Sequence, residues 1–289
     1  MSPIKQSFQA LVREAFLDSA GKSASARLLE GGKQKYSWSS NSGSIRTLRL
    51  NIEGTVYIQP VKESKHAKKN PTIKIYDYAC LNETSPAMID EQKDQFVFYQ
   101  PKDAVTVIHA PSNLQGLHLT ISGDGKVYSP HIRAPLTTLT MSDKAETYVL
   151  AHQLYATLSG AAYAGALFDN TYDRAPHGTR LVMIGKDKAD ISVYRKGMEK
   201  VDEAVALLEG AATLTTATPF THCVIHAQEE TGSLSLQERL ILWGRQPKRG
   251  YEHHLLPLGS DHYTARKTAL MKIIQAHVTD SAMPVPSCS

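Results

Sequence analysis

Apolar and polar positions alternate with a period of two over much of the chain, a spacing that predicts β-strands. Ile45, Leu48, Leu50, Ile52, Val56 and Ile58 open this pattern, with Tyr57 between the last two, and Ile73, Ile75 and Tyr78 resume it over 72–78. Further strands are predicted at 95–99, 105–109, 116–121, 126–132, 180–184, 190–194, 221–227 and 237–243. Gly123-Asp124-Gly125 supplies a tight turn between two of them. Helical spacing shows first at Phe8, Leu11, Val12, Phe16 and Leu17, which predicts an opening helix ending near Gly21. Helical spacing in an alanine-rich segment short of breakers predicts a helix over 143–168, a second helix is predicted at 199–210, and a last one spans 265–277. Gly160, Ala161, Ala162, Ala164 and Gly165 would give the first of these a small-residue face for close backbone approach.

Residues 31–44 are rich in Gly and Ser and predict a loop carrying Tyr36 and Trp38, and 280–289 predicts a flexible tail. No fixed-period repeat is evident, and the element order predicts antiparallel pairing, not regular βαβ alternation. The expected fold class is therefore α+β, a mostly antiparallel sheet with a protruding basic β-hairpin. The whole of 1–289 is read as one domain, with the hairpin inserted around 55–80.

Charge changes the picture only locally. The formal net charge is +4 over 289 residues, so any polyanion-binding face must be confined. Two runs concentrate cations. The first is Lys62, Lys65, His66, Lys68 and Lys69, expected at the hairpin tip; the second is Arg245, Lys248 and Arg249 with Tyr251, His253 and His254. Guanidinium forks suit phosphate, a tyrosine suits base stacking, and Arg266 and Lys267 open the following helix. Arg46 and Arg49, beside the first strand, are secondary candidates. An exposed lysine hairpin is as often a solvated device against edge pairing, so the second run is the stronger one.

Catalytic signatures are sparse. Gly21-Lys22-Ser23 lacks the leading glycine of a phosphate loop, since Phe16 stands there. His222 and His226 lie on a predicted strand, too far apart along one face for a shared metal, and no metal or cofactor is expected. Cys80, Cys223 and Cys288 form no disulfide framework or metal knuckle and fit a reducing, cytoplasmic setting. The N-terminal segment lacks the apolar core of a signal peptide, and no apolar run would span a membrane. His118-Leu119-Thr120 and His277-Val278-Thr279 are two His-x-Thr pairs, the signature of two-histidine phosphodiesterases, but the second falls at a helix end.

The segment Leu154-Tyr155-Ala156-Thr157-Leu158, running on to Phe168-Asp169-Asn170, precedes the predicted strand pair 180–194. A helix, a strand, Ser235-Leu236-Gln237-Glu238, the basic loop and a last helix follow. Over 144–280 this order resembles the repeated backbone subunit of type I-F CRISPR surveillance complexes. Phe168 stands where that family has tryptophan. The resemblance implies an α+β, RRM- or ferredoxin-like palm, an antiparallel sheet with helices on one face, that carries the basic hairpin as a thumb. It implies too a non-catalytic subunit whose copies, with sibling subunits, polymerise along a guide RNA and meet target DNA indirectly. On it, the RNA contacts would be Lys62, Lys65, Lys68, Lys69, Arg46, Arg49, Arg245, Lys248, Arg249 and Tyr251. A viral or phage nucleoprotein or coat-like subunit is an alternative; a phosphodiesterase built on His118 is a second.

Overall fold

A computed structural model describes residues 33–39, 45–61, 72–79, 87–90, 94–111, 114–129, 131–168, 178–195, 201–216, 220–229, 239–242, 251–257 and 259–278. Among these the chain builds two ten-stranded sheets packed face to face. The first sheet runs in the order β1 (Lys33–Ser39), β4 (Thr72–Ala79), β7 (Val105–Ala110), β3 (Thr55–Pro60), β9 (Lys126–Ser129), β11 (Glu146–Ala151), β13 (Tyr163–Phe168), β15 (Asp190–Arg195), β17 (Thr213–Thr216), β19 (Leu240–Leu242). The second runs β20 (Tyr251–Pro257), β18 (Phe220–Glu229), β16 (Val201–Leu208), β14 (Arg180–Gly185), β12 (Gln153–Leu158), β10 (Leu136–Met141), β8 (Gly116–Ile121), β2 (Thr47–Ile52), β6 (Gln95–Gln100), β5 (Ala87–Asp90). From β8 onward the chain visits the sheets in strict alternation, one strand in each. Consecutive turns of chain therefore stack as coils, and neighbouring strands within a sheet are parallel. Antiparallel pairing is confined to β1 with β4, β4 with β7, and β5 with β6, at one end of the stack.

This is a parallel β-solenoid, and it overturns the expected α+β palm. The stretch read as a helix over 143–168 holds β11, β12 and β13, and 199–210 holds β16. Their alanines occupy every second position, so Ala156, Ala164, Ala166, Ala204 and Ala206 all point between the sheets. Inside a thin two-sheet layer a methyl fills the available space, and packing overrides the helix preference of alanine. Tyr155 and Thr157, by contrast, point outward from β12. The segment read as a loop over 31–44 carries β1. β3 and β4 are not a hairpin, because β7 lies between them in the sheet. The opening helix expected near 8–17 falls outside the described residues.

A repeat is present after all. Tight turns close one corner of each coil at 122–125, 142–145, 159–162, 186–189 and 209–212, each with its fourth N–H donating to the first carbonyl at 3.0–3.4 Å. The second residue of every one is left-handed: Gly123, Asp143, Gly160, Asp187 and Gly210, with φ between 60° and 69°. Glycine takes that conformation freely and aspartate tolerates it. The column is stitched along the stack. Asp143 Oδ2 accepts from Gly123 N at 3.1 Å and from Ser142 Oγ at 2.8 Å, and Asp187 Oδ2 accepts from Gly160 N at 2.9 Å. These hydrogen bonds, Ser142 first, hold the Asp143 carboxyl below its usual range. The opposite corner varies in length, from His152 alone to the eleven residues 169–179, so the repeat has no constant period.

The one described helix, α1 (Asp261–Val278), matches the helix expected at 265–277. Ser260 caps it, accepting from Tyr263 N through Oγ at 3.2 Å and from Thr264 N through its carbonyl at 3.1 Å. Tyr263, Leu270 and Ile274 form its buried stripe and pack on Tyr155, Val182, Ile184 and Leu207, which point outward from the second sheet. At 18 residues α1 is about 27 Å long, enough to cross the five strand spacings, about 24 Å, from β16 to β2. Among the described residues, no helix is long and apolar enough to cross a membrane, which leaves strands out of account.

Candidate functional site

The outward face of the second sheet carries the most chemistry among the described residues, and stacked register arranges it in rows. One row is Val97, Arg49, His118, Thr138, Tyr155, Val182, Val205, Val224 and Glu252. The adjacent row is Tyr99, Asn51, Thr120, Thr140 and Thr157, continuing into Ile184, Leu207, His226 and His254. Helix α1 packs on Tyr155 and Val182 of the first row and on Ile184 and Leu207 of the second, and its carboxyl end reaches Arg49.

At the carboxyl end of α1, Arg49 Nη2 donates to the Val278 carbonyl at 3.2 Å, satisfying a terminal helix carbonyl. His118 follows Arg49 in the row, its Nδ1 2.8 Å from Thr138 Oγ1. The His277 ring lies on Tyr155, centroids 3.9 Å apart. Burial pushes His118 down to about 4, and the Arg49 and His277 charges push the same way.

Near the amino end, Glu209, at the close of β16, accepts from the Tyr263 hydroxyl and from Lys267 Nζ at 2.8 Å. Lys267 Nζ also donates to the Tyr263 oxygen at 3.2 Å. Lysine occupies a position of the buried stripe, and the Glu209 carboxylate raises its pKa. Next to this triad the His226 ring, 4% exposed, stacks against His254 at 5.2 Å. Burial pushes His226 down to about 4, with His254 and then Arg266 adding to it. Below, the fully buried Arg239 spans two coils, donating to Leu208 O at 2.9 Å and Gln228 O at 3.2 Å.

The residues picked from the sequence fare unevenly. Lys62, Lys65, Lys68 and Lys69 lie outside the described residues, as do Arg245, Lys248 and Arg249. Arg46 is exposed and pairs with Asp94 at 3.6 Å. Arg49 is tied to α1. Tyr251 is no free stacking platform: its ring packs edge-on against Phe220 at 6.3 Å, and its hydroxyl accepts from Phe220 N at 3.3 Å. The two His-x-Thr pairs do approach one another, bringing His277 near His118, but Thr279 is outside the described residues. A two-histidine phosphodiesterase uses one neutral histidine as base and one protonated histidine as acid, and burial favours the neutral form of His118. Its Nδ1 is, moreover, committed to Thr138.

Two features escaped the sequence reading. The first sheet carries a ladder of tyrosines on its outward side: Tyr57 on Tyr128 at 5.0 Å, Tyr128 on Tyr148 at 5.5 Å, and Tyr163 tilted against Tyr148 at 5.8 Å. The first three stack nearly parallel, so their faces are spent on one another and the ladder reads as a fold element. The other is the part of the adjacent row that α1 leaves open, on β6, β2, β8, β10 and β12. There Tyr99 (44% exposed), Asn51, Thr120, Thr140 and Thr157 stand in register across five strands. Thr120 and Thr140 are exposed, and Asn51 and Thr157 half-exposed. The Tyr99 hydroxyl donates to Glu53 at 3.4 Å. The signal for this row was the outward residue of each strand, but finding it required the register.

Fold and site together define a two-sheet parallel β-solenoid with a helix laid across one face. No family model matches the chain, and no curated protein matches it. Among solved structures the chain is similar to a candidate cell adhesion protein from Clostridium sporogenes. The two share 11% sequence identity with a TM-score of 0.28, covering 78% of this chain and 97% of that one. A likeness of that size speaks neither to function nor to topology. The palm that the CRISPR-subunit resemblance implied is replaced by the solenoid, and the RRM-like assignment falls with it.

Proposed function

We propose that this protein is a non-catalytic binding scaffold that seats an extended, uncharged, hydroxyl-rich polymer, a polysaccharide chain, along the open row of the second sheet. The observation that carries this reading is the row itself. Tyr99, Asn51, Thr120, Thr140 and Thr157 recur once per strand, every ~4.8 Å over about 19 Å. Threonine hydroxyls and the Asn51 amide both donate and accept, as sugar hydroxyls do, and the exposed Tyr99 ring offers an apolar face. The row holds no lysine or arginine, whereas a nucleic-acid track depends on cations. The turns bordering it mix both signs, with Lys102, Asp103, Asp124 and Lys144 exposed.

The test is affinity electrophoresis through gels containing soluble glycans, with Thr120→Val/Thr140→Val and Tyr99→Ala variants. Valine keeps the branched shape a strand prefers and removes only the hydroxyl. Two lost hydrogen bonds at about 1 kcal/mol each predict a loss of affinity of about 30-fold for the double variant. Glycan retardation unchanged in these variants would overturn the reading. So would retention only by polyuridylate with a steep salt dependence, which would move the binding face to the cations of 62–69 and 245–249.

A further inference from the structure

We propose that helix α1 is an acid-released clasp: protons taken up by His118 and His226, one beneath each end, lift it off the second sheet while the solenoid stays folded. Release without unfolding is possible because the two apolar clusters are separate. The intersheet core contains no residue of α1. Among the described residues its apolar side chains cluster with ones that point outward, Tyr155, Val182, Ile184 and Leu207 among them. Undocking therefore opens no space between the sheets.

The surroundings of both histidines disfavour a second proton. His118 faces Arg49 from β2, Thr138 from β10 and His277 from α1, and the helix carbonyl at Val278 is already taken by Arg49. His226 sits between Leu207 of β16 and His254 of β20 and faces Arg266 from α1. The Glu209 and Glu252 carboxylates are engaged elsewhere: Glu209 with Lys267 and Tyr263, and Glu252 with His254 at 3.5 Å. Among the described residues His226 Nδ1 has no hydrogen-bond partner, so the second N–H of an imidazolium would find no acceptor among them. Each end of the helix is thus seated on a neutral imidazole among cations.

Docked, both histidines titrate near 4; released, they return toward the ordinary 6.5. The docked state therefore binds fewer protons. Docking is at full strength above pH 6.5 and weakens as pH falls from 6.5 toward 4. At pH 5 these values give about 10- to 30-fold in the docking equilibrium for each histidine, with the lower end for the half-exposed His118.

Hydrogen exchange on the full chain, followed by mass spectrometry at pH 7.5 and pH 5 and corrected for intrinsic rates, reads this directly. Peptides from 261–278 are expected to lose at least tenfold in protection at pH 5, while those from β8, β10, β12 and β14 hold theirs. His226→Phe keeps a ring against His254 without a titrating nitrogen, and His118→Gln keeps a partner for Thr138; each should shrink the pH effect about tenfold. Helix protection that does not change with pH overturns the proposal, as does simultaneous loss in helix and strands. Should a variant fold poorly, histidine titration by NMR on the unmodified chain decides: values near 4 support the clasp, and values above 6 with the helix docked overturn it.

Discussion

Gly123 and Gly160 occupy the same position in two of the stacked turns, with that of Asp143 between them, and have nearly the same backbone, φ 62° and 69°, yet an added methyl would meet different surroundings. At Gly123 nothing lies within 4 Å of the new carbon. Gly123→Ala thus carries only the left-handed cost, about 1 kcal/mol, part of which is recovered from the stiffer unfolded chain. At Gly160 the methyl carbon would sit 2.9 Å from Asp143 Cα, N and O, all backbone atoms of the preceding coil. Those atoms are held by the Ala161 N to Asp143 O hydrogen bond at 2.6 Å and the Tyr163 N to Ala145 O bond at 2.8 Å. Separating the coils enough for a methyl should add about 1–3 kcal/mol of overpacking cost, for about 2–4 kcal/mol in all. Stacked coils need not unfold in one step, so the comparison rests on the first transition in urea, with its midpoint and slope fitted for both variants. Equal losses at the two sites would refute the close approach of the coils on which the solenoid register depends.

Lys267→Met leaves the Glu209 carboxylate paired only with Tyr263. Because Lys267 is about one-third exposed, the expected loss is a modest 1–3 kcal/mol, read as faster exchange in α1, with Glu209→Gln/Lys267→Met recovering part of it. Burial pushes the Cys223 thiol up to about 12, so iodoacetamide at pH 8 should leave it unmodified in the native protein and modify it in urea; peptide mapping checks this, and rapid native labelling would contradict its place between the sheets.

Much of the strand content was legible along the chain. Ile45 to Ile58, the segments near 95–121, and 180–194 carry a period-two pattern that no helix satisfies, and 265–277 reads as the helix it is. The segment 143–168 was misread because its many alanines fit a helical spacing as well as an alternating one: Leu154, Ala156 and Leu158 alternate with Tyr155 and Thr157. The repeat was harder to see. Its constant corner is a four-residue turn written alternately with glycine and aspartate, while the other corner varies from one residue to eleven, which erases any fixed period. Parallel pairing, the rows and the juxtaposition of Arg49 with Val278 join residues far apart in sequence, and local propensity carries no record of them. The sequence alone determined which residues face inward on most strands and where the last helix lies, because both follow from the repeat distance of a single strand or helix. Only the tertiary structure decided which strands are neighbours. Register is set when stacked coils bury their inward faces together, and it is that stacking which lines Tyr99, Asn51, Thr120, Thr140 and Thr157 into one surface and seats α1 on His118 and His226.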